Sequence, residues 1–447
     1  MAKVKKIGIW DYASTFATSL AVQACTIIQG VLIARTLGPS GRGESVAIIL
    51  WPTFFASIFL FGLPAAVARK SAREEDAGKL IQSSLLLTLG TSSMGVLLCG
   101  LFLPLLIPQS EPSILRGATW FLPFIFFNQV TLVLMAVDQG RGDFSKFNWT
   151  RLVINPVFLS GIVLLWILGV KDAFGYVMAL LVANAIVASV RLFGAVSTVR
   201  RSNSFRNDSV VSPLGLLKES LPYGASSIVG SLFQQADKTI LLFLMGTTEL
   251  GIYSVAMTAG MVGGTLSSAA STVVFGLSAQ AGDRSGYDQV ARVFRLSSWI
   301  WLMVGLGLVL IIPFLLPLVY GKEFNPAVVP ALLLIPASAL GGQAGILEDA
   351  LRAQGRPFLG VKGRFFGLVV MTLLGVILVP HFRILGVVLA FVVAQAVILG
   401  VMIFSFESHF QLSATKLLTP RLAELLELYQ RILVFGQTML RVKLDKA

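Results

Sequence analysis

The stretch FQQADKTILLFLMGTTELGIYSVA, Phe233 to Ala256, reads as the end of one apolar helix, a short turn and the start of the next. Gln234, Gln235, Asp237 and Lys238 stand where hydrocarbon penalises polar side chains, and that conflict sets the question for the whole chain. Plotted at 3.6 residues per turn, Ser227, Ser231, Gln234, Asp237 and Lys238 recur at spacings of three and four, so they share one helix face; Gln235 lies partly off it. Lipid offers no hydrogen-bond partners, so this face points at protein or at a water-filled cavity. Neighbours in a helix do not face each other, so Asp237 and Lys238 each need a partner from elsewhere. Two readings stand side by side: polar glue between helices, or the wall of a pathway.

The rest of the chain puts that helix in a membrane. Of 447 residues 55% are hydrophobic and only 13% charged, and the mean hydropathy is +0.83. Apolar runs of about 20 residues, the length that crosses roughly 30 Å of hydrocarbon as a helix, repeat along nearly the whole length. Weak alternation and the lack of short, evenly spaced strands argue against a barrel. The spans fall near 12–34, 45–68, 81–107, 117–138, 152–170, 174–195, 219–244, 250–279, 293–319, 327–351, 365–380 and 384–406. The first run has no small-residue cleavage site and reads as a retained helix. The predicted fold class is therefore an all-α, polytopic membrane protein of twelve transmembrane helices.

Placing the N-terminus in the cytoplasm puts 28 of the 35 Lys and Arg residues on the cytoplasmic side and 6 on the other, with Lys238 inside a span. This asymmetry predicts both termini in the cytoplasm of a cell (inner) membrane protein. It also explains the +13 charge without nucleic acid, since the loops are too short for a nucleic-acid module. Cys25 and Cys99 fall inside spans and read as packing residues.

Six spans per half predict a direct repeat, because an even number of crossings returns the chain to the same side. Gly38 and Gly43 align with Gly246 and Gly251, Gln139-Gly140-Arg141 with Gln354-Gly355-Arg356, and FGYVMALLVANAI (174–186) with LGVVLAFVVAQAV (385–397), in order, at offsets of 208 to 215. The predicted organisation is an N-terminus over 1–11, a six-helix bundle over 12–195, a basic linker over 196–218, a second bundle over 219–406 and an amphipathic tail over 407–447. In that tail Thr419 and Pro420 open a helix with Leu422, Leu425, Leu426, Tyr429 and Ile432 on one face. Shifting the polar face back by 208 lands on Ser19, Gln23, Thr26 and Gln29 of the first helix, so each half offers a polar face from its first helix. Asn128, Gln129, Asn155, Asn184, Gln343 and Gln395 are further intramembrane polar residues. Glu348 and Asp349 read equally as a cation or proton site and as an ion pair with Arg352 or Arg356. Pro64, Pro123, Pro156 and Pro336 inside spans predict kinks. His381 and His409 have no metal-ligand companions, no nucleotide-binding motif is present, and no outer loop is long enough for an active site, so neither an enzyme nor a cofactor is expected.

VLIARTLGPSGRGE, LPYGASSIVGSLFQQADKTILLFLMGTTELGIYSVA, VYGKEFNPA and AQGRPFLGVKGR together resemble the polysaccharide (Wzx-type) flippases of the multidrug/oligosaccharidyl-lipid/polysaccharide exporter superfamily, over residues 8–406. The resemblance implies two six-helix bundles around a polar cavity that opens alternately to either side. Its implied cargo is a polyprenyl-pyrophosphate-linked oligosaccharide, moved from the inner to the outer leaflet with an ion gradient or the membrane potential as the drive. Carried onto this chain, Gln23, Thr26, Gln29, Asn128, Asn155, Ser227, Ser231, Gln234, Asp237 and Lys238 are candidates for the cavity wall. Arg141, Arg151, Arg356 and Arg364 are candidates for a pyrophosphate funnel, and Asp237, Glu348 and Asp349 for ion coupling. The implied partners are the lipid-linked oligosaccharide, membrane lipids and a polysaccharide polymerase or assembly proteins. A cation-coupled drug or metabolite antiporter of the same superfamily, and more remotely the major facilitator fold, are the alternatives. A membrane glycosyltransferase or polymerase is disfavoured for want of a catalytic outer loop.

Overall fold

The structure is a computed structural model and describes residues 9–72, 77–107, 111–201, 212–262, 283–353, 356, 358–410 and 417. Among these it is helical almost throughout and contains no strand. The helices are α1 (Ile9–Ile58), α2 (Leu63–Ser71), α3 (Ala77–Leu106), α4 (Pro112–Phe121), α5 (Phe124–Gly140), α6 (Phe144–Ile167), α7 (Ala173–Arg201), α8 (Pro213–Met245), α9 (Thr247–Gly260), α10 (Asp283–Tyr320), α11 (Val328–Ala353), α12 (Phe358–Phe382) and α13 (Ile384–Phe410), with a 3-10 turn over Lys322–Ala327. Eight are long and apolar enough to cross a membrane by themselves, and α4 with α5, bent by 41°, make a ninth.

Eleven of the twelve expected spans fall on these helices, the second of them divided between α1 and α2, and the eighth is described only at its start. α1 carries two of them, because Gly38, at φ 66° and ψ −174°, turns it between a first and a second arm. Only glycine enters that region readily. α8 is long enough but is diluted by its own serines, glutamines, Asp237 and Lys238. The eighth span is described only through α9 and Val262; its remainder, the linker over 202–211 and the tail helix from Thr419 lie outside the described residues. Of the four prolines, Pro64 and Pro123 sit at helix starts, whereas Pro156 and Pro336 lie inside α6 and α11. The second span is thus broken: Phe61 and Gly62 take positive φ of 47° and 70° before α2 resumes.

Burial divides the apolar interior. The largest cluster is drawn from α8 to α13 and is joined by Ala34 of α1. Three others are built from α1 to α7 and joined by Leu216, Leu242 and Leu250 of the later helices. Two backbone crossings tie the two sets together. Far from the N-terminus, a Cβ on Gly43 would lie 1.7 Å from the Thr247 carbonyl oxygen, and one on Gly251 would lie 1.9 Å from that of Pro39. Pro39 and Thr247 are themselves 208 residues apart, so the contact is reciprocal, as in a local two-fold. Gly246 repeats the Gly38 conformation at φ 83° and ψ −168°. Arg35 closes the same end by donating to the Leu318 and Val319 carbonyls at the end of α10. Nearer the N-terminus, Gly62 meets Tyr223 and Gly224 of α8, with no room for a Cβ, and Glu219 pairs with Lys70 at 3.5 Å and Arg69 at 3.9 Å.

Candidate functional site

α8 starts at Ser212, whose hydroxyl accepts from the Gly215 N–H, with Pro213 in the first turn. Its polar face then runs between the second arm of α1 and the helices α9, α11 and α12, and divides into two cavities and one buried bond.

The first cavity, of about 430 Å³, opens beside the break at Gly62. α8 contributes Tyr223, Ser227, Ser231 and Gln234; α1 contributes Ser57; and α11 and α12 contribute Glu348, Arg352 and Arg364. Glu348 is buried and accepts from Arg352 Nη2 at 3.0 Å and from Arg364 Nε and Nη2 at 3.1 and 2.9 Å. Arg352 also pairs with Asp349 at 3.2 Å. Two arginines and two carboxylates therefore balance. Glu348 thus pairs with Arg352, one of the two expected arginines, and with Arg364 in place of Arg356.

The second cavity, of about 370 Å³, lies further from the N-terminus and is lined by Arg42 and Thr53 of α1, Gln235 and Lys238 of α8, and Ser254 and Thr258 of α9, among others. Thr53 is one turn from Ser57, and Gln235 adjoins Gln234, so the cavities meet end to end across one helical turn. From Tyr223 to Lys238 they follow about 22 Å of α8, most of a hydrocarbon thickness. Among the described residues no carboxylate lines the second cavity. Lys238 Nζ donates to the Gln234 carbonyl at 2.9 Å and to Gln235 Oε1 at 3.1 Å, both neutral groups. Arg42 has its Nε buried without a hydrogen-bond partner. Two cations thus face one polar space with no carboxylate beside them among the described residues.

Asp237 lines neither cavity. It is 1% exposed, accepting from Tyr253 Oη at 2.7 Å and from the Lys238 N–H at 2.8 Å. Its outside partner is the tyrosine of α9, and the pair bonds α8 to α9 inside the apolar cluster. Tyr253→Phe leaves the carboxylate one donor short, which costs about 1.5–3 kcal/mol. We expect thermal unfolding in detergent at a temperature several degrees lower, with transport per folded molecule retained; reduced transport at an unchanged Tm would put Asp237 in the transport path instead.

The polar face of the first arm of α1 goes elsewhere. Gln29 is buried and donates to the Asn155 carbonyl at 2.8 Å, Ser19 accepts from Arg151 at 3.1 Å, and Asn148 donates to Ser14 and Thr15. This is a polar seam between α1 and α6, with Arg151 also over the Phe147 ring at 5.4 Å. Asn155 donates to the Arg151 carbonyl, the exposed Thr26 hydroxyl donates to the Val22 carbonyl, and Gln23 is half-buried. Asn128 is half-buried on α5. Arg141 is exposed at the end of α5, and Arg356 lies in a separate groove between α12 and α13. None of these lines the two cavities. Of the four funnel arginines, Arg364 alone reaches them. Lining residues that the sequence did not single out include Arg42, Thr53, Ser57, Tyr223, Ser254 and Thr258, and Gln235, set partly off the stripe, lines the second cavity. Arg42 sits in a Gly-Pro-Ser-Gly turn signal that reads as a loop, although helix resumes at once after Gly38.

Comparison with known proteins agrees with this architecture. A probable low-salt glycan biosynthesis flippase, Agl15 of Haloferax volcanii, is 23% identical over 376 residues, covering 81% of this chain and 76% of that protein. Among solved structures, an inward-facing multidrug resistance MATE family transporter of the MOP superfamily superposes with a TM-score of 0.73 at 15% identity, covering 87% of this chain and 94% of that one. The lipid II flippase MurJ, in an inward closed conformation, gives 0.71 at 16% identity over 96% of this chain and 93% of its own. Residues 11–282 match the family described as polysaccharide biosynthesis protein, which is more than half the chain, and the chain belongs to that family.

Proposed function

We propose that this protein is a flippase that carries a polyprenyl-pyrophosphate-linked oligosaccharide from the inner to the outer leaflet of the cytoplasmic membrane, with both termini in the cytoplasm. The observation that carries the reading is the end-to-end pair of polar cavities along α8, with the unneutralised Arg42 and Lys238 in the outer one. Serine, threonine and glutamine side chains suit a sugar's hydroxyls, and cations suit the diphosphate. In this reading the lipid tail stays in the bilayer while the head group passes from the Arg364 cavity to the Lys238 cavity, and no covalent bond changes. The names of Agl15 and MurJ point the same way, as does the family's description. The six-helix units over 12–195 and 219–406 would rock as a direct repeat, a relation supported locally by the Gly43 and Gly251 crossing. A polysaccharide polymerase or assembly protein is a fitting partner at the outer face.

The cation antiporter reading shares the fold. It is the weaker one because a small cation needs an acidic lining, whereas Glu348 is engaged by two arginines and the outer cavity carries only positive charge. The test is reconstitution into liposomes with a labelled polyprenyl-pyrophosphate oligosaccharide loaded in one leaflet. Protein-dependent appearance of the sugar to an impermeant lectin outside is expected; redistribution no faster than in protein-free liposomes would sink the proposal.

A further inference from the structure

Glu348 has no obvious reason to be where it is. It stands on α11 with its side chain 8% exposed, yet it lines a polar cavity, and its carboxylate takes the Nε and Nη2 edge of Arg364 together with Nη2 of Arg352. That edge of a guanidinium is the one that grips a phosphate in bidentate fashion. Both arginines remain partly open to the cavity, at 33% and 47% side-chain exposure. The third nitrogen of Arg364, Nη1, lies 3.1 Å from where a Cβ of Gly230 would stand, so α8 presents a glycine where the arginine crosses. On the other side Gly360 gives Glu348 its seat: a Cβ there would fall 2.7 Å from Cγ of the glutamate.

We propose that Glu348 is an internal stand-in for the substrate's phosphate. It occupies the anion site formed by Arg364 and Arg352 when the inner cavity is empty, yields that site to an incoming pyrophosphate, and retakes it as the pyrophosphate moves on. This inference rests on the flippase reading and adds the release step to it. Two arginines in a low-dielectric cavity with no competing carboxylate would hold a diphosphate too firmly to let it leave. A buried carboxylate and arginine pair is held by attraction largely cancelled by desolvation, so exchanging one anion for another is nearly balanced. Glu348 thereby keeps binding weak enough for onward movement, and it prevents bare arginines from capturing free phosphate.

Inorganic pyrophosphate titrated into the purified full-length protein in detergent, followed by calorimetry, tests this. Glu348→Gln keeps the shape and removes the competing charge, so its pyrophosphate affinity should rise about tenfold or more over wild type. The gain should vanish in the E348Q/R364Q double variant. Gly360→Ala, which pushes the glutamate from its seat without touching any charge, should raise affinity in the same direction and provides the test should E348Q fail to fold. Affinity at or below the wild-type value in both single variants overturns the proposal. Because the probe carries no sugar or lipid, the two readings separate. Tighter pyrophosphate binding in a protein that flips no lipid-linked saccharide would remove the flippase assignment alone, and unchanged binding in an active flippase would remove the stand-in alone.

Discussion

Replacing Arg42 and Lys238 together by glutamine is expected to abolish head-group movement while leaving insertion and folding intact. Each cation contributes a charge-assisted contact to a diphosphate, worth about 1.5–3 kcal/mol, or roughly tenfold to a hundredfold in rate if the contact is made only as the head group crosses. The double variant should therefore lose about a hundredfold or more, and each single variant a fraction of that. Glutamine is shorter but keeps a hydrogen-bond donor on an aliphatic stem, so the comparison tests chiefly the charge. The readout is lectin-accessible sugar in liposomes, with monodispersity and Tm as controls. Wild-type rates in the double variant would falsify the assignment of the outer cavity as the destination of the phosphate. Lys238→Arg should restore most of the activity at this position, because the cavity asks for a positive charge near Gln235 and a longer side chain can reach the same space.

The second large effect is steric. Gly251→Leu, or even Gly251→Ala, should prevent the crossing with the second arm of α1, because the first side-chain carbon already lands 1.9 Å from a backbone oxygen and 2.9 Å from the Gly43 nitrogen. No rotamer relieves a collision made by Cβ itself, so the backbones must part by an ångström or more. We expect transport to fall by about two orders of magnitude with the protein still inserted, since a cycle that cannot close one end stalls. The matching observation is that a cysteine at Gln235, in a background lacking Cys25 and Cys99, reacts faster with an impermeant thiol reagent from outside in the Gly251→Ala protein. Unchanged labelling together with unchanged transport would show that this crossing stays in place throughout the cycle.

Much of this was legible in the chain. Hydropathy placed the apolar spans, and the glycine pairs at an offset of 208 marked the two residues that share one unusual backbone conformation, Gly38 and Gly246. The row QQADK stood out in the sequence as polar residues inside an apolar helix. What spacing could not convey was its division: a turn of 100° per residue carries Gln235 to the second cavity and Asp237 into the interior, while Lys238, one turn along the same face from Gln234, also reaches the second cavity. The bonds that decide these roles join different helices. Tyr253 is 16 residues from Asp237 across a turn, and Arg364 is 16 residues from Glu348 across another. The matching polar positions of α1 illustrate the same limit. Gln23, Thr26 and Gln29 repeat the pattern of α8, but the first arm of α1 lies against α6, so its buried glutamine meets a backbone carbonyl there.

The crossings at Gly43 and at Gly62 lie 19 residues apart on α1 and its break, about 28 Å along a helix axis. Both ends touch α8 or α9, so a second arm of α1 that tilted as a whole would turn about a midpoint near Thr53, beside the meeting of the two cavities. A tilt of about 20° about that point would swing the two ends by roughly 5 Å in opposite senses over arms of about 14 Å. In such a tilt, opening one end would press the other shut, and one helix arm would supply mutual exclusion without a separate gate at either face.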